Sequence, residues 1–138
     1  MGHPIIFKGD SVAMRVTGFG GLFFKSADPE KLYQWYEKHL GIKRTEYGVM
    51  FKWADDPQAA EGYTVWSIFP ATTKYFDPGK ASFMMNLRVE GLKELLAKMR
   101  ADGAAVDEKY EETEYGNFGW VMDPDGNRIE LWEAPATK

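Results

Sequence analysis

The chain has no cysteine, which excludes disulfides, a thiol nucleophile and a thiolate metal site. That absence fits a reducing cytoplasm, the expected location. Histidine is nearly as scarce. His3 lies in the N-terminal tail and His39 falls within a helical pattern, so no histidine cluster is on offer to a metal. No apolar run approaches the roughly 20 residues of a membrane-spanning helix, and the N-terminus has no signal-peptide pattern. No membrane partner is therefore expected. Basic charge is short as well: a net charge of -4 and a pI near 5.2 argue against a nucleic-acid partner, whose phosphates call for a basic surface. The glycines of Thr17-Gly18-Phe19-Gly20-Gly21 lack the spacing of a dinucleotide or phosphate loop, and no Lys-Ser/Thr opens the helix that follows.

What the chain has in excess is aromatic surface. Aromatic residues make up 15% of its 138 residues, with five tryptophans, seven tyrosines and nine phenylalanines. These need a core or a ligand to cover them. The length suits one domain. Residues 1–13 read as an N-terminal tail whose Met1-Gly2-His3-Pro4 start has the look of added sequence, with Met14 an alternative start. Residues 14–138 form the domain.

The most informative stretch is Phe118 to Glu133. Two short apolar runs flank Asp123-Pro124-Asp125-Gly126-Asn127. Proline presets a turn position, the acids bond back to backbone, and Gly126 takes a positive φ without a Cβ clash, so the stretch predicts a hairpin. Its returning strand alternates. Ile129 and Leu131 point to a core, while Arg128, Glu130 and Trp132 share the opposite face. A carboxylate next to a tryptophan in mid-strand points to a cavity wall.

Upstream, Val16–Ser26 predicts a first strand, with Phe19, Gly21, Phe23 and Lys25 on one face. Asp28-Pro29 opens a helix that carries Leu32, Trp35, Tyr36, His39 and Leu40 and stops at Gly41. Arg44–Tyr47 and Val49–Trp53 read as strands turning at Gly48, and Tyr63–Phe69 as a fourth. Residues 70–80 read as a linker. Ala81–Val89 alternates as a strand, with Ser82, Met84, Asn86 and Arg88 on its mixed face. A helix follows with Leu92, Leu95, Leu96 and Met99, stopped by Gly103. Ala105–Glu108 reads as a short strand and Tyr110–Asn117 as a loop. The order strand, helix, three strands occurs twice, at about 16–69 and 81–133, an internal repeat. The expected architecture is α+β: two βαβββ modules whose paired curved mixed sheets enclose a cleft, with helices outside.

This order resembles the vicinal oxygen chelate superfamily, the glyoxalase/bleomycin-resistance/dioxygenase group. Phe23–Ile42 (FFKSADPEKLYQWYEKHLGI) is similar to that family's strand, acidic-proline turn, aromatic helix and Leu-Gly stop. Val121–Trp132 (VMDPDGNRIELW) is similar to its closing hairpin with the terminal Glu. In metal-dependent relatives four strands supply His, Glu or Gln to one divalent ion. The resemblance places those positions at Gly21, at Trp66 or Ser67, at Met84 and at Glu130, of which Glu130 alone is a competent ligand.

Two functions follow as expectations. The preferred one is a metal-independent small-molecule-binding protein, which the resemblance further implies is a homodimer. It holds an aromatic or amphipathic ligand, with Glu130 as polar anchor or acid/base group and Phe23, Trp66, Met84, Asn86, Trp120, Trp132 and Tyr115 as ligand-binding residues. No cofactor is expected. The alternative is a metal-dependent lyase, isomerase or dioxygenase of the glyoxalase type with Glu130 as a metal ligand. The bland readings are core packing for the tryptophans and an ion pair of Glu130 with Arg88 or Arg128. Tyr75 and Tyr115 serve either as lids or as anchors of their loops, and His39 is expected as a favourable cation at a helix C-terminus.

Overall fold

The computed structural model describes residues 14–46 and 48–135. The expected N-terminal tail at 1–13 lies outside the described residues. Two α-helices, α1 (Pro29–Leu40) and α2 (Leu92–Ala101), pack on one open four-stranded sheet built from β1 (Met85–Arg88), β2 (Ala105–Thr113), β3 (Gly116–Met122) and β4 (Arg128–Glu133). The strand order is β1-β4-β3-β2. β1 runs parallel to β4, and the other pairs are antiparallel. This is the mixed α+β class read from the sequence. No helix among the described residues is long and apolar enough to cross a membrane.

α1 starts and stops where the sequence signals say, and α2 stops just before Gly103. The Asp28 side chain accepts from the Lys31 backbone N–H at 3.2 Å, and Pro29 occupies the first turn. Gly41, at φ 68°, sends its N–H back to the Glu37 carbonyl. Leu32 and Tyr36 of α1 meet Leu92, Leu96 and Met99 of α2 over Val121, Ile129 and Leu131 of the sheet. Gly119 makes the close fit possible, since a Cβ there would lie 2.6 Å from the Leu96 Cδ1. That apolar layer fixes which sheet face is core, so alternation turns Asn86, Arg88, Trp120, Glu130 and Trp132 to the other face.

The hairpin turn is fixed from inside. Asp123, buried, accepts from the backbone N–H groups of Asp125 and Asn127 and from the Asn127 amide, and takes the Tyr36 hydroxyl at 2.7 Å. Burial, reinforced by Asp123, pushes the Tyr36 hydroxyl far above the ordinary phenol range. This bond ties α1 to the β3–β4 turn.

Several expectations change. Tyr110–Asn117 is not a loop. β2 continues to Thr113 and β3 begins at Gly116, with Glu111 opposite Phe118 and Glu112 opposite Asn117. β2 is an edge strand, where glutamates stay in water and guard against further pairing, so their charge is no bar to a strand. Ala81–Val89 shrinks to Met85–Arg88 in ladder bonds. In the first half, Val16–Ser26 and Tyr63–Phe69 carry no ladder bonds, the Arg44–Trp53 region keeps only a bridge between Thr45 and Gly48 among its described residues, and Trp53 begins a 3-10 turn. Alternation assigns each side chain a face but does not supply a partner strand. Without one, Phe23, Trp66 and Ile68 stand exposed. His39 also differs. It is buried in the last turn of α1 beside Trp35, its Nδ1 has no partner, and burial followed by Lys38 lowers its pKa. The neutral ring is favoured over the expected cation.

Candidate functional site

The face of the sheet away from the helices carries two rows. In the first, Asn86 of β1, Glu130 of β4 and Trp120 of β3 stand side by side. In the second, two residues along, stand Arg88, Trp132 and Phe118. Row spacing follows from the two-residue period of a strand, about 7 Å.

Glu130 is buried within the first row at 8% exposure. Its Oε1 accepts from the Asn86 amide at 2.7 Å, and its Oε2 accepts from the Trp120 indole N–H at 3.1 Å and from the Tyr75 hydroxyl. Burial, and then the carboxylate it donates to, push the Tyr75 hydroxyl well above the ordinary phenol range. Trp120 has no exposed surface. Tyr75 meets its ring edge-on, and the Lys109 ammonium and Arg128 guanidinium lie 4.9 and 5.4 Å from its centroid.

Neither arginine considered as a partner for Glu130 serves as one. Arg128 bonds Asp107 at 3.0 Å, and Arg88 pairs with Asp56 from the 53–56 turn. Each draws a carboxyl below its usual range, at Asp56 as the leading cause and at Asp107 after the Lys109 backbone N–H.

The aromatic side chains form a chain of contacts. Tyr75 leads to Trp120, Trp120 to Phe118 at 6.5 Å, Phe118 to Trp132 stacked at 6.3 Å, and Trp132 to Tyr63 at 5.7 Å. The Trp132 indole N–H is held by the Tyr115 carbonyl at 2.8 Å. Beside this chain lies a cavity of about 70 Å³ lined by Tyr63, Thr64, Val65, Asn86, Arg88 and Trp132.

Of the residues singled out in the sequence, Glu130, Asn86, Trp120 and Trp132 are brought together. Met84 is half-buried just before β1. Phe23, Trp66 and Tyr115 are 96%, 73% and 64% exposed and stand apart from the Glu130 cluster, although the Tyr115 backbone orients Trp132. Sequence reasoning offered Tyr75 only as a lid or a loop anchor, not as a partner of Glu130, and did not place Phe118 or Tyr63 at the site. Phe118 was within reach, because it shares parity with Trp120. Tyr75 lies in an aperiodic segment and gives no such signal.

The superfamily's divalent ion can be tested against these residues. A metal needs several lone pairs converging on one point. Around Glu130 the neighbours are an amide N–H, an indole N–H and a phenol held protonated, all of which present hydrogen atoms. Among the described residues no group of three or more His, Cys, Asp or Glu converges. The residues present do not fit such an ion.

A family model for a glyoxalase-like domain matches residues 21–132. Among solved structures, the chain is similar to TnmS3, an antibiotic binding protein from Streptomyces sp. CB03234, at 24% identity over 79% of this chain and 88% of that one, TM-score 0.47. A member of the glyoxalase/bleomycin resistance protein/dioxygenase superfamily from Sphaerobacter thermophilus is 19% identical over 78% and 90% of the two chains, TM-score 0.48. The trypanothione-dependent glyoxalase I of Leishmania major is 23% identical over 75% and 77%, TM-score 0.44. The comparison with curated proteins returns no match. With a family model spanning most of its length, the chain belongs to the glyoxalase-like family of the vicinal oxygen chelate superfamily.

Proposed function

We propose that this protein binds a small molecule without a metal ion, holding an aromatic or amphipathic ligand against the Trp120–Phe118–Trp132–Tyr63 surface with Glu130 as its polar anchor. The observation that carries this reading is a buried carboxylate, held by three neutral donors, set at one end of a chain of aromatic rings. Such a site joins apolar contact area to one orienting group, as small-molecule sites do. Asn86 and Trp120 fix the carboxylate on ladder-bonded strands, so its position costs little to hold when a ligand arrives.

The protein works as a cytoplasmic homodimer in this reading. The exposed rings of Phe23 and Trp66 and the unpaired stretches 16–26 and 63–69 support it, because surface of this kind is covered in working proteins. The stretches 16–26 and 63–69 then pair as strands and close over the 85–133 sheet, within one chain or between two, and bring Phe23 and Trp66 to the ligand.

The test is a tryptophan-fluorescence titration against a panel of planar aromatic and amphipathic compounds, with chelator present. Quenching that saturates is expected, and Glu130→Gln weakens it while leaving the urea unfolding transition cooperative. No binding across a broad panel contradicts the reading.

A further inference from the structure

We propose that Tyr75 occupies the ligand's place in the free protein, and that the ligand is a planar aromatic cation whose protonated nitrogen takes over the Tyr75 hydroxyl's position on Glu130 Oε2. The proposal rests on the binding function above and names the chemistry of its ligand.

Three observations lead there. First, Glu130 is a buried carboxylate whose hydrogen-bond partners are all neutral. The basic side chains nearby are engaged elsewhere: Arg128 with Asp107, Arg88 with Asp56, and Lys109 with Glu111 at 3.4 Å. A desolvated carboxylate gains most from a partner that carries charge.

Second, the three donors are not equally fixed. Asn86 and Trp120 sit in ladder-bonded strands. Tyr75 sits in the 70–80 segment, which has turns but no regular element. That segment meets the sheet and its turn through Lys80 N–H to the Gly126 carbonyl, through Gly79 close to Arg128, and through Tyr75 on Trp120, while Tyr75 also stacks on Phe69 at 5.7 Å outside the sheet. Phe69 is itself 43% exposed and in no strand, so Tyr75 is the least fixed of the three donors.

Third, the cavity next to Asn86, the carboxylate's other neighbour, is small and Tyr75 does not line it. The cavity at Asn86 and Trp132 holds about 70 Å³, well short of the roughly 300 Å³ at which small-molecule pockets begin. A multi-ring ligand needs the volume that Tyr75 fills. Tyr75 meets Trp120 edge-on with its hydroxyl on Glu130. A flat ring carrying an N–H⁺ group keeps both contacts and adds the charge that the phenol lacks.

The experiment compares 9-aminoacridine, a cation at neutral pH, with acridine, a neutral molecule of the same ring system there. Both are titrated into the wild-type protein, Tyr75→Phe and Glu130→Gln, with a urea melt of each variant as the folding control. The wild type prefers 9-aminoacridine. Tyr75→Phe removes the competing hydroxyl, lowers the cost of displacing the ring for either compound, and tightens 9-aminoacridine and acridine alike on the order of tenfold while the preference for 9-aminoacridine remains. Glu130→Gln erases the preference. A preference that survives Glu130→Gln, or weaker 9-aminoacridine binding by Tyr75→Phe, overturns the proposal. So does failure of 9-aminoacridine to bind while a neutral compound from the wider panel does, in which case the binding function itself stands. If nothing in the panel binds, both fall.

Discussion

Replacing Glu130 by alanine removes the acceptor of three donors at once, and the three differ in what they can do afterwards. Asn86 is exposed and turns to water. Tyr75 is half-buried, on an irregular segment, and can follow. Trp120 has no exposed surface, is enclosed by Tyr75, Lys109, Arg128 and Phe118, and keeps a dry indole N–H with no partner. A buried donor left unsatisfied costs about 1–3 kcal/mol, so Glu130→Ala is expected to destabilise by roughly 2 kcal/mol, most of it from Trp120. Glu130→Gln keeps a carbonyl oxygen for Trp120 and is expected to lose about 1 kcal/mol, the charge-assisted share of the bonds. In urea, 2 kcal/mol moves the midpoint by about 1 M for a slope of about 2 kcal/mol per M. A double-mutant cycle isolates the cause. Trp120→Phe removes the orphaned donor, so the Glu130→Ala penalty shrinks in that background. A Glu130→Ala protein with an unchanged midpoint, or a penalty that persists in full beside Trp120→Phe, refutes this reasoning.

Two further outcomes follow from groups outside the site. His39 has its pKa lowered by burial and then by Lys38, with Lys98 adding to the lowering and Asp102 opposing it. The unfolded chain therefore binds that proton more readily. Stability from His39 is complete above its ordinary value of 6.5 and declines as pH falls through and below it. His39→Gln is expected to flatten urea midpoints measured between about pH 7 and 5, and an unaltered pH profile counts against it. Gly116, at φ 117°, opens β3 against the end of β4, where a Cβ would lie 2.4 Å from the Glu133 carbonyl oxygen and 2.7 Å from the Trp132 Nε1. Gly116→Ala is expected to cost at least about 2 kcal/mol from backbone strain and overpacking and to release the Trp132–Tyr115 bond, seen as a shift in tryptophan emission. A wild-type midpoint and spectrum would contradict the account of this turn.

Local chemistry made the first helix and much of the second half readable. Asp28-Pro29 and Gly41 bound the first helix as their conformational preferences require. The Asp123–Asn127 turn joins β3 to β4, and the parity of Ile129 and Leu131 against Glu130 and Trp132 assigns both faces of β4. Parity also set Asn86 and Arg88 on the Glu130 face. What parity cannot supply is the identity of partners from distant segments. Arg128 lies two residues from Glu130 yet bonds Asp107, and Arg88 finds Asp56, because those carboxylates arrive from β2 and from the 53–56 turn. Tyr75 reaches Glu130 across 55 positions from a segment with no periodicity. Tyr110–Asn117 reads as a loop because a charged edge strand has the composition of one. The alternating stretches 16–26 and 63–69 show the same limit from the other side: their faces are legible, but the strand each pairs with is not written within it.

The central claim is that ligand binding here needs no metal, and the most direct test is the metal content of the tag-free protein. The protein is incubated in turn with nickel, zinc, manganese and iron, desalted, and measured by elemental analysis beside Glu130→Ala. The arrangement of N–H and O–H donors around Glu130 predicts no retained ion near one per chain with any of the four. A near-stoichiometric ion that Glu130→Ala removes would contradict the account and place this chain with the metal-dependent enzymes of its superfamily.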